Sequence, residues 1–172
     1  MKDHITIEGN NGAFAAYIAR PKTSSAPAVV VLQEVFGVNA DIRRHCDELA
    51  EQGFLAVAPD LFWRQEPGVD PNVTSEADWQ HGLRLYGAYD RDAGAKDVKD
   101  TVNTVPNLPE CNGRVAVLGE IKTALAKKPN ATVYSYPGQN HAFTRHNGAH
   151  YNAAAAALAN GRASEFLHQQ LR

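Results

Sequence analysis

The sequence predicts an α/β fold: a three-layer sandwich around a mostly parallel sheet, with an N-terminal β-hairpin. Three observations carry this. Ala28 to Leu32 (AVVVL), Phe54 to Ala58 (FLAVA) and Arg114 to Leu118 (RVAVL) are short apolar runs, the pattern of strands buried on both faces of a parallel sheet. Stretches of helical apolar spacing separate them. A strand-then-helix alternation buries its apolar surface best with helices on both faces of one sheet.

Size and composition fit that reading. The 172 residues suit one domain, residues 1–172. A chain of this length buries about 70% of its unfolded surface and needs no staples. Hydrophobic residues make up 44% and charged residues 21%, which argues against disorder or a coiled coil. Seventeen Lys and Arg against 19 Asp and Glu leave a net charge of −2. So even a balance gives no reason to expect a nucleic acid or an acidic membrane as partner. Cys46 and Cys111 cannot build a disulfide framework. The start, MKDHITIEGN, lacks the apolar core of a secretory signal, and AVVVL is too short to span a bilayer. A cytoplasmic protein is the expectation.

The elements follow in order. Ile5 and Ile7, then Phe14, Ala16 and Ile18, flank Gly9-Asn10-Asn11-Gly12 and read as a hairpin. Ile42, Cys46, Leu49 and Ala50 make a helical stripe over about Ala40 to Gln52, with Asn39 as N-cap and Gly53 past the end. Pro59-Asp60 closes the second strand. Leu61 to Thr74 reads as a long irregular loop, a feature that compact domains tend to use functionally. Ser75-Glu76-Ala77-Asp78 resembles a capping box, although Gly82 and Gly87 weaken the helix it starts. A better helix is expected after Asp92, with Val98, Val102 and Val105 on one face. Pro106 to Gly113 reads as a loop before the third buried strand, Arg114 to Leu118. Glu120 to Lys128 is a short amphipathic helix, Ala131 to Tyr136 a strand, and Asn152 to Leu171 a C-terminal helix. In such sheets ligands bind beyond the carboxyl ends of the strands. Gln33-Glu34-Val35-Phe36-Gly37, Gly119-Glu120, Gly138-Gln139-Asn140-His141 and the loop with Arg64 all reach that edge.

Four segments together resemble the dienelactone hydrolase family of the α/β-hydrolase fold: Gln33-Glu34-Val35-Phe36-Gly37-Val38-Asn39, Pro59-Asp60-Leu61-Phe62-Trp63-Arg64-Gln65, Val115-Ala116-Val117-Leu118-Gly119, and Tyr136-Pro137-Gly138-Gln139-Asn140-His141-Ala142-Phe143. The resemblance implies a thiol hydrolase with a Cys–Asp–His triad that opens small anionic lactones or esters; no cofactor and no metal are expected. By it, His141 matches the triad histidine and Glu34 the carboxylate that interacts with the nucleophile. Arg64 and Arg145 match the two arginines that hold the substrate carboxylate.

The chain departs from the family where the chemistry is centred. The family carries its nucleophile in G-x-C-x-G, a sharp turn between strand and helix. Here Gly119 is followed by Glu120-Ile121-Lys122, and no Ser or Cys stands in such a turn. The elbow, two strands with their helices, and the acidic triad member are missing at the 119/120 junction. Cys111 precedes its strand at the far edge of the sheet, and Cys46 sits on an apolar helical stripe, where a structural thiol is the better reading. Ser135 lies within a strand. His141, His146 and His150 lack the companion ligands and spacing of a zinc site. Trp63 and Trp79 read as pocket wall or core. The expected outcome is a truncated hydrolase, impaired for lack of its nucleophile. The alternatives are a non-catalytic carboxylate-binding or relic domain, or a sequence that joins two parts of a longer enzyme. With Glu120 to Lys128 as the sole crossover, the histidine strand is expected beside Arg114 to Leu118. Otherwise that segment docks on a second subunit, as a homodimer or domain swap.

Overall fold

The computed structural model describes residues 3–71, 75–118, 136–140, 143–146 and 148–171. Its elements are β1 (His4–Gly9), β2 (Gly12–Ala19), β3 (Ala26–Val31), α1 (Ala40–Glu51), β4 (Leu55–Pro59), α2 (Glu76–Gly87), α3 (Arg91–Thr104), a single 3-10 turn (Val105–Asn107), β5 (Cys111–Leu118) and α4 (Ala153–Leu171). The chain divides into two compact units, Met1–Leu118 with Leu171, and Gly119–Gln170 with Arg172. The division falls beside the junction at which the sequence departs from the family it resembles.

The first unit holds a sheet in the order β1-β2-β4-β3-β5. β1 and β2 form the expected hairpin, with Ile7 opposite Phe14, and β2 runs antiparallel to β4. β3 lies parallel to both β4 and β5. Alternation along the strands sorts the side chains by face. Ala28, Val30, Leu55 and Val57 join Phe14, Ala16, Ile18 and Val105 in one buried cluster, on which Val102 of α3 packs. α3 is tied to the hairpin turn through Asp100, which accepts from the Asn10 backbone N–H and side-chain amide at 3.0 and 2.9 Å. α1 packs on β2, β3 and β4, and the Tyr17 hydroxyl donates to Asp47 at 2.7 Å. Ile42, Cys46 and Leu49 are its buried stripe, as expected. Helix, sheet and helix thus make the three layers.

The caps explain where the helices begin. The Asn39 side chain accepts from Ile42 N–H, and Ser75 Oγ accepts from Asp78 N–H. α3 starts earlier than Asp92 because Asp90 already accepts from the backbone N–H groups of Asp92 and Ala93. Each such cap satisfies helix-terminal donors that would otherwise lack a partner.

β5 corrects one expectation. It begins at Cys111, inside the segment read as a loop, and it is not buried on both faces: Val117 is 47% exposed. Its composition matches β3, yet it stands last in the sheet among the described residues, so half its surroundings differ. Among the described residues no helix is long and apolar enough to cross a membrane.

In the second unit α4 is capped by Asn152, whose side chain accepts from Ala155 N–H at 3.0 Å. The expected helix Glu120 to Lys128, most of the strand Ala131 to Tyr136, and the 119/120 junction lie outside the described residues.

Candidate active site

The carboxyl end of β3 delivers Gln33 and Glu34 into a tight turn. Glu34 is half-buried and makes an isolated bridge to Gly37. Phe36, 1% exposed, plugs the turn into the protein. Gly37 has φ +65°, and a Cβ there would stand 2.7 Å from the Val69 carbonyl oxygen. The turn is therefore clamped by backbone on one side. On the other side lies α2. A Cβ on Gly82 would meet the Val35 carbonyl oxygen at 2.7 Å, so the glycine that looked like a weakness in the helix permits its close approach. Trp79 adds a ring contact to Phe36, with centroids 4.9 Å apart.

The loop after β4 is sewn down by two carboxylates. Asp60, 6% exposed, accepts from Phe62 N–H at 3.0 Å and from Gly68 N–H at 2.8 Å. Gln33 Oε1 accepts from Leu61 N–H at 2.9 Å, which joins the loop to the residue before Glu34. Arg64 closes both guanidinium nitrogens on Asp97 of α3, and Trp63 Nε1 donates to the same carboxylate at 3.1 Å. Arg64 is thus held by an internal carboxylate, while its side chain stays 32% exposed.

Burial raises the Asp60 carboxyl above its ordinary value, against the lowering effect of its two backbone donors. The folded chain then holds this proton more tightly than the unfolded chain. Its contribution to stability is present in acid and is lost as pH rises through the folded value. We expect Asp60→Asn to gain on the wild type as pH climbs above the ordinary carboxyl range near about 4. Urea unfolding of both proteins across the acid range measures it, and a wild type that gains on the variant with rising pH overturns it.

Arg145 lies in the second unit and is 9% exposed, so it is not a solvated surface arginine. Burial lowers its pKa. The loop leading to His141 is framed by Tyr136 and Phe143, whose rings approach at 5.2 Å, and Arg162 of α4 lies over Tyr136 at 5.5 Å. His141 itself lies outside the described residues.

Neither cysteine serves this edge. Cys46 is fully buried, and burial, with a smaller push from Asp47, drives its pKa up to about 12. A thiol needs the opposite environment to act as a nucleophile. Cys111 opens β5 at the amino ends of the parallel strands, away from Glu34. Among the described residues no group of three or more His, Cys, Asp or Glu could hold a metal. An open hollow of about 500 Å³, lined by Lys22, Thr23, Ala50, Glu51, Gln52 and Gly53, also lies at those amino ends and not at the Glu34 edge.

Sequence reasoning missed one feature. Trp79, Leu83 and Tyr86 are 38, 41 and 45% exposed and recur at i, i+4 and i+7 along α2. They form an apolar stripe on the outer face of the helix that braces the Glu34 turn. Its signal was the spacing itself, hidden because the helix was judged by its glycines.

The family model for dienelactone hydrolases matches residues 14–120 and 119–171. The chain belongs to the dienelactone hydrolase family. A candidate carboxymethylenebutenolidase of Azospirillum brasilense is 32% identical over 230 positions, covering 99% of this chain and 100% of that protein. Carboxymethylenebutenolidase 1 of Cupriavidus pinatubonensis is 41% identical over 122 residues, covering 69% of this chain and 51% of the relative. Among solved structures, a candidate dienelactone hydrolase of Klebsiella pneumoniae superposes with a TM-score of 0.54 at 27% identity, over 66% of this chain and 47% of that one. The chain thus spans about half the length of several relatives it matches. The two matched segments of the family meet at residues 119 and 120. The Azospirillum alignment has 230 positions for a chain of 172, so at least 58 of them have no residue of this chain opposite.

Proposed function

We propose that this chain is a dienelactone-hydrolase-like hydrolase of small anionic lactones or esters whose turnover is impaired. The observation that carries the reading is the break at 119/120: the family's two ends are present, and G-x-[Cys/Ser]-x-G is absent from the sequence. Without a nucleophile no covalent intermediate can form. What the chain retains is Glu34, His141, Arg64 and Arg145. Glu34 and His141 orient a water as general base, an effect worth roughly 10²–10⁴-fold, while Arg145 holds the substrate carboxylate. Trp79, whose ring meets Phe36 two residues after Glu34, offers apolar surface for the organic part of the ligand. The chain works in the cytoplasm, and a homodimer or domain swap would cover the exposed Val117.

Turnover of a small lactone by pure protein, with and without iodoacetamide, tests this. A slow rate that alkylation leaves unchanged is expected, because Cys46 is buried and un-ionised and Cys111 lies at the opposite end of the sheet. Alkylator-sensitive turnover would sink the claim that the chain lacks its nucleophile. The burial of Arg145 also favours a second reading, a carboxylate-binding domain without turnover. Binding of maleate with no hydrolysis decides for it.

A further inference from the structure

The turn that carries Glu34 is closed on itself by the bridge between Glu34 and Gly37, so whatever displaces Gly37 or its neighbour Val38 is felt at Glu34. The loop after β4 meets this turn twice. Before Glu34, Leu61 N–H donates to Gln33 Oε1 at 2.9 Å. After it, the Val69 carbonyl oxygen lies where a Cβ on Gly37 would stand 2.7 Å away. Asp60 ties the two meetings together, because its carboxylate accepts from the N–H groups of both Phe62 and Gly68, at 3.0 and 2.8 Å.

Arg43 of α1 fastens the second meeting. Its Nη1 donates to the Val38 carbonyl at 2.7 Å and its Nη2 to Asp70 Oδ2 at 2.9 Å. One guanidinium thus spans the residue after Gly37 and the residue after Val69. Helix α1 has no local use for this cation. Arg43 stands in the first turn after the N-cap Asn39, the end at which the helix dipole favours anions. Its neighbour Arg44 pairs within the helix, with Asp41 at 2.9 Å, whereas Arg43 reaches out of it. Stability does not account for the pair either. The Arg43 and Asp70 side chains are 30 and 49% exposed, and ion pairs in such surroundings contribute little. What a guanidinium adds is geometry: donors fixed in one plane hold two acceptors at a set separation. We infer that Arg43 is a positioning residue for Glu34, acting through the Val38 carbonyl and the Asp70 end of the loop. The inference deepens the proposed function, since it rests on Glu34 being part of the working site.

Arg43→Met and Asp70→Asn test it, with Arg43→Lys as the conservative variant. Hydrogen exchange reads the geometry without turnover. In Arg43→Met, exchange at Gly68 N–H and Leu61 N–H speeds up about ten-fold against the amide of Val57 in the central strand β4, as expected when charged hydrogen bonds are lost from a locally opening segment. Asp70→Asn leaves the Val38 contact in place, so the same amides gain less. Turnover reads the consequence. In Arg43→Met, kcat for a small lactone falls about ten-fold while KM stays within about two-fold, because a misplaced base loses rate and not binding. Arg43→Lys keeps a charge for Asp70 without the planar fork, so it recovers whatever unfolding midpoint Arg43→Met loses, but not kcat. A purely structural arginine would instead lower the urea midpoint and leave kcat of the folded protein unchanged. That result, unchanged exchange at Gly68 and Leu61 in Arg43→Met, or full recovery of kcat by Arg43→Lys overturns the inference. Should no protein of the set hydrolyse the lactone, the proposed function fails, and Leu61 exchange still decides whether Arg43 holds the turn.

Discussion

Gly37→Ala is expected to destabilise the fold by about 2–5 kcal/mol, among the largest single-residue effects outside the strands. Two independent penalties meet at this position. At φ +65° an L-residue pays for the left-handed conformation, about 1–2 kcal/mol. The added methyl would also stand 2.7 Å from the Val69 carbonyl oxygen, closer than real Cβ contacts come, and that neighbour is backbone. Repacking against such an obstacle costs about 1–3 kcal/mol. Gly53 separates the two effects. It has φ +92°, but nothing lies within 4 Å of a Cβ placed there. Gly53→Ala should therefore show the conformational penalty alone. Urea midpoints of the two variants measure the difference, and an equal loss in both would show that the Val69 contact relaxes freely. The functional consequence follows from location. The carbonyl that must move belongs to the loop that also holds Gln33, so the strain arrives at Glu34.

The sequence made visible whatever depends on neighbours in the chain. The hairpin followed from the alternation of Ile5, Ile7, Phe14, Ala16 and Ile18 around a Gly-Asn turn. α1 followed from the spacing of Ile42, Cys46 and Leu49 and the cap at Asn39. Contacts between distant segments were not visible. Asp97 drew no reading from the sequence, and Arg64 was matched only to a substrate carboxylate, because nothing local reveals that a pair 33 residues apart closes on itself. Gly82 was read by helix propensity, about 1 kcal/mol against Ala, when its reason is a tertiary approach to Val35. β5 was read as buried because apolar composition reports what a strand can bury, not whether a neighbour is there to bury it. The exposed Val117 lies two residues before position 119, where the two matched family segments meet.

On the proposed function, the break at 119/120 sets the largest functional effect. Glu34 lies in the segment of the family that ends at residue 120, and His141 and Arg145 lie in the segment that begins at 119. On the proposed reading, the absent elbow belongs directly after β5, a strand already aligned parallel with β3 and its Glu34 turn. Inserting a stretch that carries the family's G-x-C-x-G between Leu118 and Ile121 should therefore restore an elbow at the carboxyl end of β5, the end at which Glu34 also leaves β3. A nucleophile with backbone donors for the oxyanion is worth on the order of 10³-fold or more over general-base hydrolysis. We expect kcat/KM for a small lactone to rise by at least that factor, and the new activity to become sensitive to iodoacetamide. The graft should also bury Val117, which a rise in unfolding midpoint would report. A grafted protein that folds with a sharper, higher transition yet hydrolyses no faster would mean that the two retained ends no longer hold Glu34, His141 and Arg145 in register. The impairment would then lie in the geometry of the whole site and not in the one absent side chain.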